Sequence, residues 1–290
     1  MQYGAIEAGG TKFVCAVADE NVEITEKVSF PTTTPEETFE KIFSFFDQYE
    51  LDSMGIGSFG PIGINQAKEN YGHILATPKK GWTNFDFLGT LQKKYAIPFV
   101  WTTDVNAAAY GEMEKGAAKG KDSCIYLTIG TGIGAGIIID RQIFQGTSNP
   151  EMGHIFVKRH PEDDYEGNCP YHKDCLEGLA AGPSLEARAG VKGQDLPADH
   201  AVWDILAFYI AQALMTYTLT LSPEIIVLGG GVMNQDHLLP KIQQEFVQQM
   251  GGYMEIPNVE QYIVRWGLPN ESGIQGSLLL AETATRNEQN

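Results

Sequence analysis

The sequence has few basic residues. Its 290 residues include 20 lysines and arginines against 37 aspartates and glutamates, which gives a formal net charge of −17. Nucleic acids and anionic membranes are bound through a basic face. The acidic balance therefore argues against either as a partner, although individual lysines and arginines can still serve a phosphate site.

The sequence also lacks the features of an exported or membrane-spanning protein. Its N-terminus runs into a predicted strand without a basic and apolar leader, which predicts no signal peptide and a cytoplasmic location. The most apolar long stretch, Ala201 to Leu221, contains Asp204 and Gln212, so we predict a buried helix rather than a membrane span. What is present is a globular composition, with 43% hydrophobic and 20% charged residues, which at this length supplies the cores of two domains.

The most informative stretch runs from Ser123 to Asp140. Two apolar runs flank glycines at alternate positions, a pattern that predicts a strand, a tight turn and a returning strand. The glycines are Gly130, Gly132, Gly134 and Gly136. They let backbone amides approach a ligand without an intervening Cβ, which suits the oxygens of a phosphate. A plain β-hairpin with a bulge fits this stretch equally well.

The same plan occurs near the N-terminus. Residues 3–17 align with the later hairpin so that Ile6 matches Ile129 and Gly9 matches Gly132. A repeat about 120 residues apart predicts two related domains, each opening with a strand, a glycine turn and a strand. We expect the domains to face each other across a cleft that holds a nucleotide's phosphates between two sets of amides.

Two more turns follow predicted strands. Gly60 and Pro61 end one strand, and the triple glycine 229–231 ends another. In α/β sheets, ligands bind at this end of the strands, although such residues also serve simply to turn the chain. Asn84, in a predicted loop, is open to the same two interpretations.

Asp104 lies between a predicted strand and an alanine-rich helix. Its carboxylate can cap the helix by accepting the first free amides. Alternatively, it points into the cleft and accepts a proton from a substrate hydroxyl. The two roles are compatible.

Three potential metal ligands lie within seven residues: Cys169, His172 and Cys175. In a chain without an export signal they fit structural Zn²⁺ better than a disulfide between the two cysteines. A tetrahedral site needs a fourth ligand, which His154 or His160 could supply.

Together these segments resemble the ROK family of sugar kinases and repressors. The matching segments cover nearly the whole chain in family order and are Glu7–Lys12, Thr103–Ala108, Leu127–Gly134, Glu151–His154, the Cys/His cluster and Leu228–Gly231. The resemblance implies ATP-dependent phosphorylation of a hexose. It also implies an α/β, two-domain, actin/Hsp70/hexokinase-like (ribonuclease H-like) fold with the active site in the interdomain cleft. We expect a small domain at residues 1–117, with helix 274–290 packing back on it, and a larger domain with the zinc loop at 118–273.

Departures from the family pattern narrow the substrate. Glu7 stands where the family usually has Asp, and the Cys/His cluster stands where it usually has a Cys-rich zinc loop; both resemble the fructokinase branch. Thr103 replaces an Asn that touches the sugar in glucokinase-like members. The resemblance therefore implies fructose as acceptor, with glucose, mannose or N-acetylhexosamine as alternatives. A sugar-responsive repressor needs a DNA-binding helix-turn-helix ahead of the first hairpin, whereas here the first predicted strand starts at about residue 3. We therefore do not expect this protein to be a repressor.

The resemblance also assigns roles to individual residues. Asp104 is implied to be the catalytic base, and His154 to bind both sugar and zinc. The implied cofactors are ATP, Mg²⁺ and structural Zn²⁺, and the implied assembly is a homodimer. The residues expected at ATP and its Mg²⁺ are Glu7, Gly9, Gly10, Thr11, Lys12, Gly130, Thr131, Gly132, Pro183, Gly229, Gly230 and Gly231. Those expected at the sugar are Gly60, Pro61, Asn84, Thr103, Asp104, Glu151, His154 and Glu177, and the zinc ligands are His154, Cys169, His172 and Cys175.

Overall fold

The computed structural model describes residues 1–256 and 258–288. The strands are β1 (Tyr3–Ala8), β2 (Lys12–Ala18), β3 (Ile24–Pro31), β4 (Ser53–Ser58), β5 (His73–Ile74), β6 (Phe85–Asp86), β7 (Phe99–Thr103), β8 (Cys124–Ile129), β9 (Ile133–Ile139), β10 (Gln142–Ile143), β11 (Ile225–Gly229) and β12 (Ile263–Arg265). The helices are α1 (Pro35–Phe46), α2 (Phe87–Gln92), α3 (Asp104–Glu114), α4 (Leu176–Ala180), α5 (Gly182–Ala189), α6 (Val202–Leu221), α7 (Leu238–Met250), α8 (Val259–Tyr262) and α9 (Ser272–Glu288). Short 3₁₀ helices span Met152–His154, Gly193–Asp195 and Gly231–Asn234.

Contacts divide the chain into two compact units. The first comprises Met1–Gly116, Ile143–Pro150 and Asn270–Asn290, and the second comprises Ala117–Gln142 and Glu151–Pro269. The helix that we predicted at 274–290 is α9, and its last two residues lie outside the described residues.

Each unit contains a five-stranded mixed sheet of the same order. The first sheet runs β3-β2-β1-β4-β7 and the second runs β10-β9-β8-β11-β12. In each, the strands flanking the glycine turn are antiparallel, whereas the strands added on the other side are parallel. The internal repeat predicted from the sequence is therefore confirmed, and it extends from the hairpin to the whole sheet.

The first sheet buries both of its faces because its strands alternate between two apolar cores. Ile6 and Phe13 face a core that contains α1 and stacked aromatic rings, with Phe13 5.5 Å from Trp82 between ring centroids. Tyr3 and Ala5 face α9 on the other side. Helix α9 lies against β4 so closely that a Cβ at Gly55 would come within 1.9 Å of the Ser277 carbonyl oxygen.

The core of the second unit is built around α6. The helix matches the predicted buried helix, and its side chains pack with those of β8, β11 and α7. It is long and apolar enough to cross a membrane by composition, but most of it is buried within the protein. The apolar surface of α6 thus forms part of the core of the second unit.

Candidate active site

The first glycine turn joins β1 to β2 and is fixed by backbone hydrogen bonds. The Gly9 amide donates to the Lys12 carbonyl at 3.0 Å, and a Cβ at Gly9 would lie 2.7 Å from that oxygen. The Thr32 hydroxyl donates to the Gly9 carbonyl at 2.7 Å, and the Thr32 backbone amide donates to the Thr11 carbonyl at 2.9 Å. Beside the turn, a Cβ at Gly10 would lie 3.3 Å from Cε of Lys79, a residue that sequence reasoning missed. Because only a side chain as small as that of glycine fits at residue 9, the turn keeps its backbone close to any ligand.

Glu7, near the end of β1, lies at the amino-terminal end of α9. Its carboxylate accepts a hydrogen bond from the Ile274 amide. The backbone at Gly273 is so close to this carboxylate that a Cβ on residue 273 would lie 2.7 Å from the carboxyl carbon of Glu7. Burial raises the pKa of Glu7, and the nearby Lys12 ammonium opposes that rise. A carboxylate held in this way can contribute an oxygen ligand to a hard cation such as Mg²⁺.

Asp104 is the first residue of α3 and directly follows β7. The cap of α3 is Thr103, whose hydroxyl oxygen accepts a hydrogen bond from the Asn106 amide at 3.2 Å. The interpretation of Asp104 as the N-cap was therefore wrong, because the helix starts one residue earlier, at Asp104 itself. The half-buried Asp104 carboxylate instead accepts a hydrogen bond from the Val105 amide at 2.9 Å. The helix amino end favours negative charge at this position.

A buried amide pair supports the first turn of α3. The Asn106 side-chain amide donates to the Thr102 hydroxyl at 3.1 Å and to the side-chain oxygen Oδ1 of Asn149 at 2.9 Å. Both asparagines are more than nine-tenths buried. Sequence reasoning missed this pair because its members are 43 residues apart. The pair holds the segment ending at Pro150 against α3.

Three of the residues predicted around the sugar in the first unit, Gly60, Pro61 and Asn84, lie in two loops that meet at Leu75. The Leu75 amide donates to the Pro61 carbonyl at 2.8 Å, and the Asn84 amide donates to the Leu75 carbonyl at 3.3 Å. The Gly60–Pro61 peptide is cis, and Asn84 has a φ of +58°. Asparagine tolerates that left-handed conformation, so Asn84 fits the turn interpretation while remaining beside the Gly-Pro loop.

Three chain segments meet around the second glycine turn. The Gly130 amide donates to the Gly132 carbonyl at 2.9 Å, and the Gly182 amide donates to the Gly130 carbonyl at 2.7 Å. Gly230, at the end of β11, has a φ of +88°, and a Cβ there would lie 2.5 Å from backbone atoms of Ile129. The β8–β9 turn, the start of α5 and the turn after β11 are therefore packed backbone to backbone.

These segments line one cavity of about 380 Å³ within the second unit. Thr131, Pro183 and Gly231, all predicted on the ATP side, lie on its wall. Residues on the same wall that sequence reasoning missed are Leu185, Glu186, Lys192, Gln194, Trp203, Asn234 and Gln235. They lie in segments that carry no distinctive sequence motif. The cavity has the size of a small-molecule site and combines apolar with hydrogen-bonding groups.

The four predicted zinc ligands lie together. His154 Nδ1 is 3.6 Å from Cys169 Sγ and 3.5 Å from Cys175 Sγ, and His172 Nδ1 is 3.9 Å from Cys169 Sγ. Zinc with Zn–S bonds of about 2.3 Å and Zn–N bonds of about 2.1 Å separates tetrahedral ligands by roughly 3.4–3.8 Å. All four ligand atoms lie within 4.8 Å of one another, so the donor set fits a single ion.

The cysteines in this cluster are buried and carry free thiols, so the alternative of a disulfide is not formed. Burial raises the pKa of Cys175 to about 11. A cation bound between the sulfur atoms would favour the thiolate instead. Of the two candidates for the fourth ligand, His154 joins the cluster, whereas His160 packs its ring against Phe208.

Two side chains in the second unit, His154 and Glu177, link this cluster to the glycine turn. Glu177 Oε2 accepts a hydrogen bond from the Ile133 amide at 3.0 Å, and Glu177 Oε1 lies 4.0 Å from His154 Nε2. Partial removal from water raises the pKa of Glu151, with His154 opposing and Glu177 adding to the rise. Two carboxylates and an imidazole therefore share one region beside the metal ligands.

The fold has a counterpart among solved structures. A ROK hexokinase from Thermus thermophilus has a similar structure, with a TM-score of 0.82 and 25% sequence identity over 99% of this chain and all of that one. The two sheets thus form the actin-like ATPase fold that we predicted.

Comparison of sequences finds relatives with higher identity to this chain. The ROK family model matches residues 3–284. A fructokinase from Pediococcus pentosaceus is 52% identical over 99% of this chain and 100% of its own length. A fructokinase from Streptococcus mutans is 51% identical over 97% of each chain. The protein belongs to the ROK family.

Proposed function

We propose that this protein is a fructokinase, an ATP-dependent hexose kinase that converts fructose to fructose 6-phosphate. The observation that carries the proposal is its identity of about half of all residues, over the full length, with proteins named fructokinase. The paired glycine turns and the carboxylate at the start of α3 supply the groups that phosphoryl transfer needs. Glucose, mannose and N-acetylhexosamine are the alternative acceptors.

In the proposed reaction Asp104 accepts the proton of the C6 hydroxyl of fructose. The resulting oxygen attacks the γ-phosphorus of MgATP, the bond from that phosphorus to the β–γ bridging oxygen breaks, and ADP leaves. General base catalysis of this kind contributes about 10²–10⁴-fold. The remaining acceleration comes from positioning and from charge stabilisation by turn amides and Lys12.

The other proposed roles are divided between the two units. In the first, Gly9, Gly10 and Thr11 bind phosphate, Glu7 would help to hold Mg²⁺, and Gly60, Pro61, Asn84 and Thr103 contact the sugar. In the second, Gly130, Thr131 and Gly132 bind phosphate, Pro183 and the 229–231 turn bind adenosine, and Glu151, His154 and Glu177 contact the sugar.

The bound metal would be structural. A zinc ion on His154, Cys169, His172 and Cys175 would use all four tetrahedral positions, and it would supply cross-linking rather than an activated water. We also propose that the protein acts in the cytoplasm and forms a homodimer. Size-exclusion chromatography with light scattering would test the homodimer.

The substrate is tested by a coupled ADP-release assay across fructose, glucose, mannose and N-acetylglucosamine. We expect the highest kcat/KM for fructose. A higher value for glucose or for N-acetylglucosamine would show that the fructokinase assignment is wrong while leaving a kinase of the same family.

A further inference from the structure

The Glu177 carboxylate lies between the metal cluster and the second glycine turn. Its Oε2 atom accepts a hydrogen bond from the Ile133 amide at 3.0 Å. A Cβ at Gly132 would lie 2.6 Å from the same oxygen, so the carboxylate packs directly on the turn. Its other oxygen, Oε1, lies 4.0 Å from His154 Nε2.

The opposite edge of the His154 ring belongs to the metal cluster. Nδ1 lies 3.5 Å and 3.6 Å from the two sulfur atoms, whereas Nε2 faces Glu177. A metal ion on Nδ1 uses the lone pair of that atom, so the ring proton resides on Nε2 and can be donated to a carboxylate. Metal binding therefore selects the tautomer and the ring orientation that attract Oε1.

We propose that Glu177 is a positioning residue that couples the metal cluster to the nucleotide-binding turn. The coupling rests on the proposed function only in taking the Gly130–Gly132 turn as the site of the nucleotide phosphates. With a metal on His154, the ring would orient the Glu177 carboxylate, and Glu177 fixes the turn through the Ile133 amide. Loss of the metal releases this chain of contacts.

Such coupling is reciprocal. If the metal tightens nucleotide binding, the nucleotide must tighten metal binding by the same factor, and couplings between sites are typically about five- to 150-fold. A residue that contacted only the sugar would produce neither effect. The two directions can be measured without turnover, through ADP affinity and through zinc release.

The variant that isolates the coupling is Glu177→Gln. A glutamine can accept from the Ile133 amide only by turning its own NH₂ group toward the Nε2–H of His154, or the reverse, so one of the two contacts is lost. The matched control is Glu166→Gln in the same loop region, because Glu166 is an exposed carboxylate 3.8 Å from Lys173.

The experiment uses the full chain with zinc and after zinc removal, with folding checked by circular dichroism. Calorimetry measures the Kd for MgADP, and a colorimetric chelator measures the rate of zinc release with and without MgADP. For the wild type and Glu166→Gln we expect MgADP to bind at least about fivefold more tightly with zinc, and to slow zinc release. Zinc-loaded Glu177→Gln should bind MgADP as weakly as the zinc-free wild type, with release insensitive to MgADP.

The coupling is refuted if zinc leaves the MgADP affinity of the wild type unchanged. It is equally refuted if the dependence persists in Glu177→Gln, or if that variant raises only the KM for fructose. If removing zinc unfolds the wild type, the zinc-loaded variants decide alone, because Glu177→Gln must still weaken MgADP binding relative to Glu166→Gln. Absence of fructose phosphorylation would refute the proposed function without affecting these binding measurements.

Discussion

The buried ion pair between Arg188 and Asp163 provides a quantitative test of what stabilises the second unit. The two side chains are 8% and 3% exposed and meet through two hydrogen bonds of 2.7 Å and 2.9 Å. The Tyr209 hydroxyl donates to the same carboxylate at 2.6 Å. The pair joins the loop that carries the metal ligands to α5, which lines the 380 Å³ cavity. The informative change is Asp163→Asn, which keeps the shape and removes the charge.

The size of the effect follows from the ionisation of Asp163. Burial by itself would raise the pKa of this carboxyl, but hydrogen bonds from Arg188 and Tyr209 more than offset it and lower the pKa from 3.8 to about 2. That difference corresponds to roughly 2.5 kcal/mol of stability. Leaving one member of a buried pair uncompensated costs about 3–5 kcal/mol. We therefore expect Asp163→Asn to lower the free energy of unfolding by about 3 kcal/mol at pH 7.

The sign of the pH dependence is also determined. Because the pKa in the folded protein is below its ordinary value of 3.8, the stabilisation is complete above that pH and is lost as the pH falls toward 2. Urea unfolding from pH 7 to acid should show the difference between wild type and Asp163→Asn shrinking at low pH. The control is Asp174→Asn, since Asp174 is 42% exposed and lies 3.5 Å from Arg159, and exposed pairs contribute about 0–1 kcal/mol. A loss below about 1 kcal/mol for Asp163→Asn, or a difference that does not change with pH, would refute this reasoning.

Three other changes test the active site and its supports. Asp104→Asn should lower kcat by at least about a hundredfold without lowering the melting temperature, because Thr103 caps the helix; near wild-type turnover would exclude a base. Cys169→Ser should reduce a zinc content of about one per chain, lower the melting temperature and raise the KM for fructose, and metal analysis that finds no zinc in the wild type would contradict the metal site. Gly230→Ala should destabilise the protein by about 1–3 kcal/mol, because residue 230 has a φ of +88° and lies against strand backbone; an unchanged melting temperature would show that the turn relaxes.

Features with a local cause could be predicted from the sequence. Alternating glycines between apolar runs led to the hairpin of β8 and β9, and the repeat of that plan near the N-terminus led to the hairpin of β1 and β2. The metal cluster was predicted because Cys169, His172 and Cys175 are close in sequence, so the loop brings them together whatever the rest of the fold does.

Features that depend on distant packing could not be predicted. Asp104 was considered as a cap of α3 and Thr103 was not, because both residues can cap a helix and only the exact start of the helix distinguishes them. The contact of Glu177 with the Ile133 amide spans 44 residues. Its glutamate carries no local signal that separates it from a surface carboxylate.

The position of α9 has a consequence for synthesis of the chain on the ribosome. Ile274 and Leu278 pack against Tyr3 and Ala5, and the Ile274 amide bonds to Glu7. The N-terminal part of a growing chain usually folds first, but here β1 is synthesised long before its partner helix α9. The second unit, by contrast, draws on residues that are complete before α9 is made. A nascent chain interrupted before α9 would therefore carry every glycine turn and every metal ligand, yet expose the apolar face of its first sheet to chaperones and proteases.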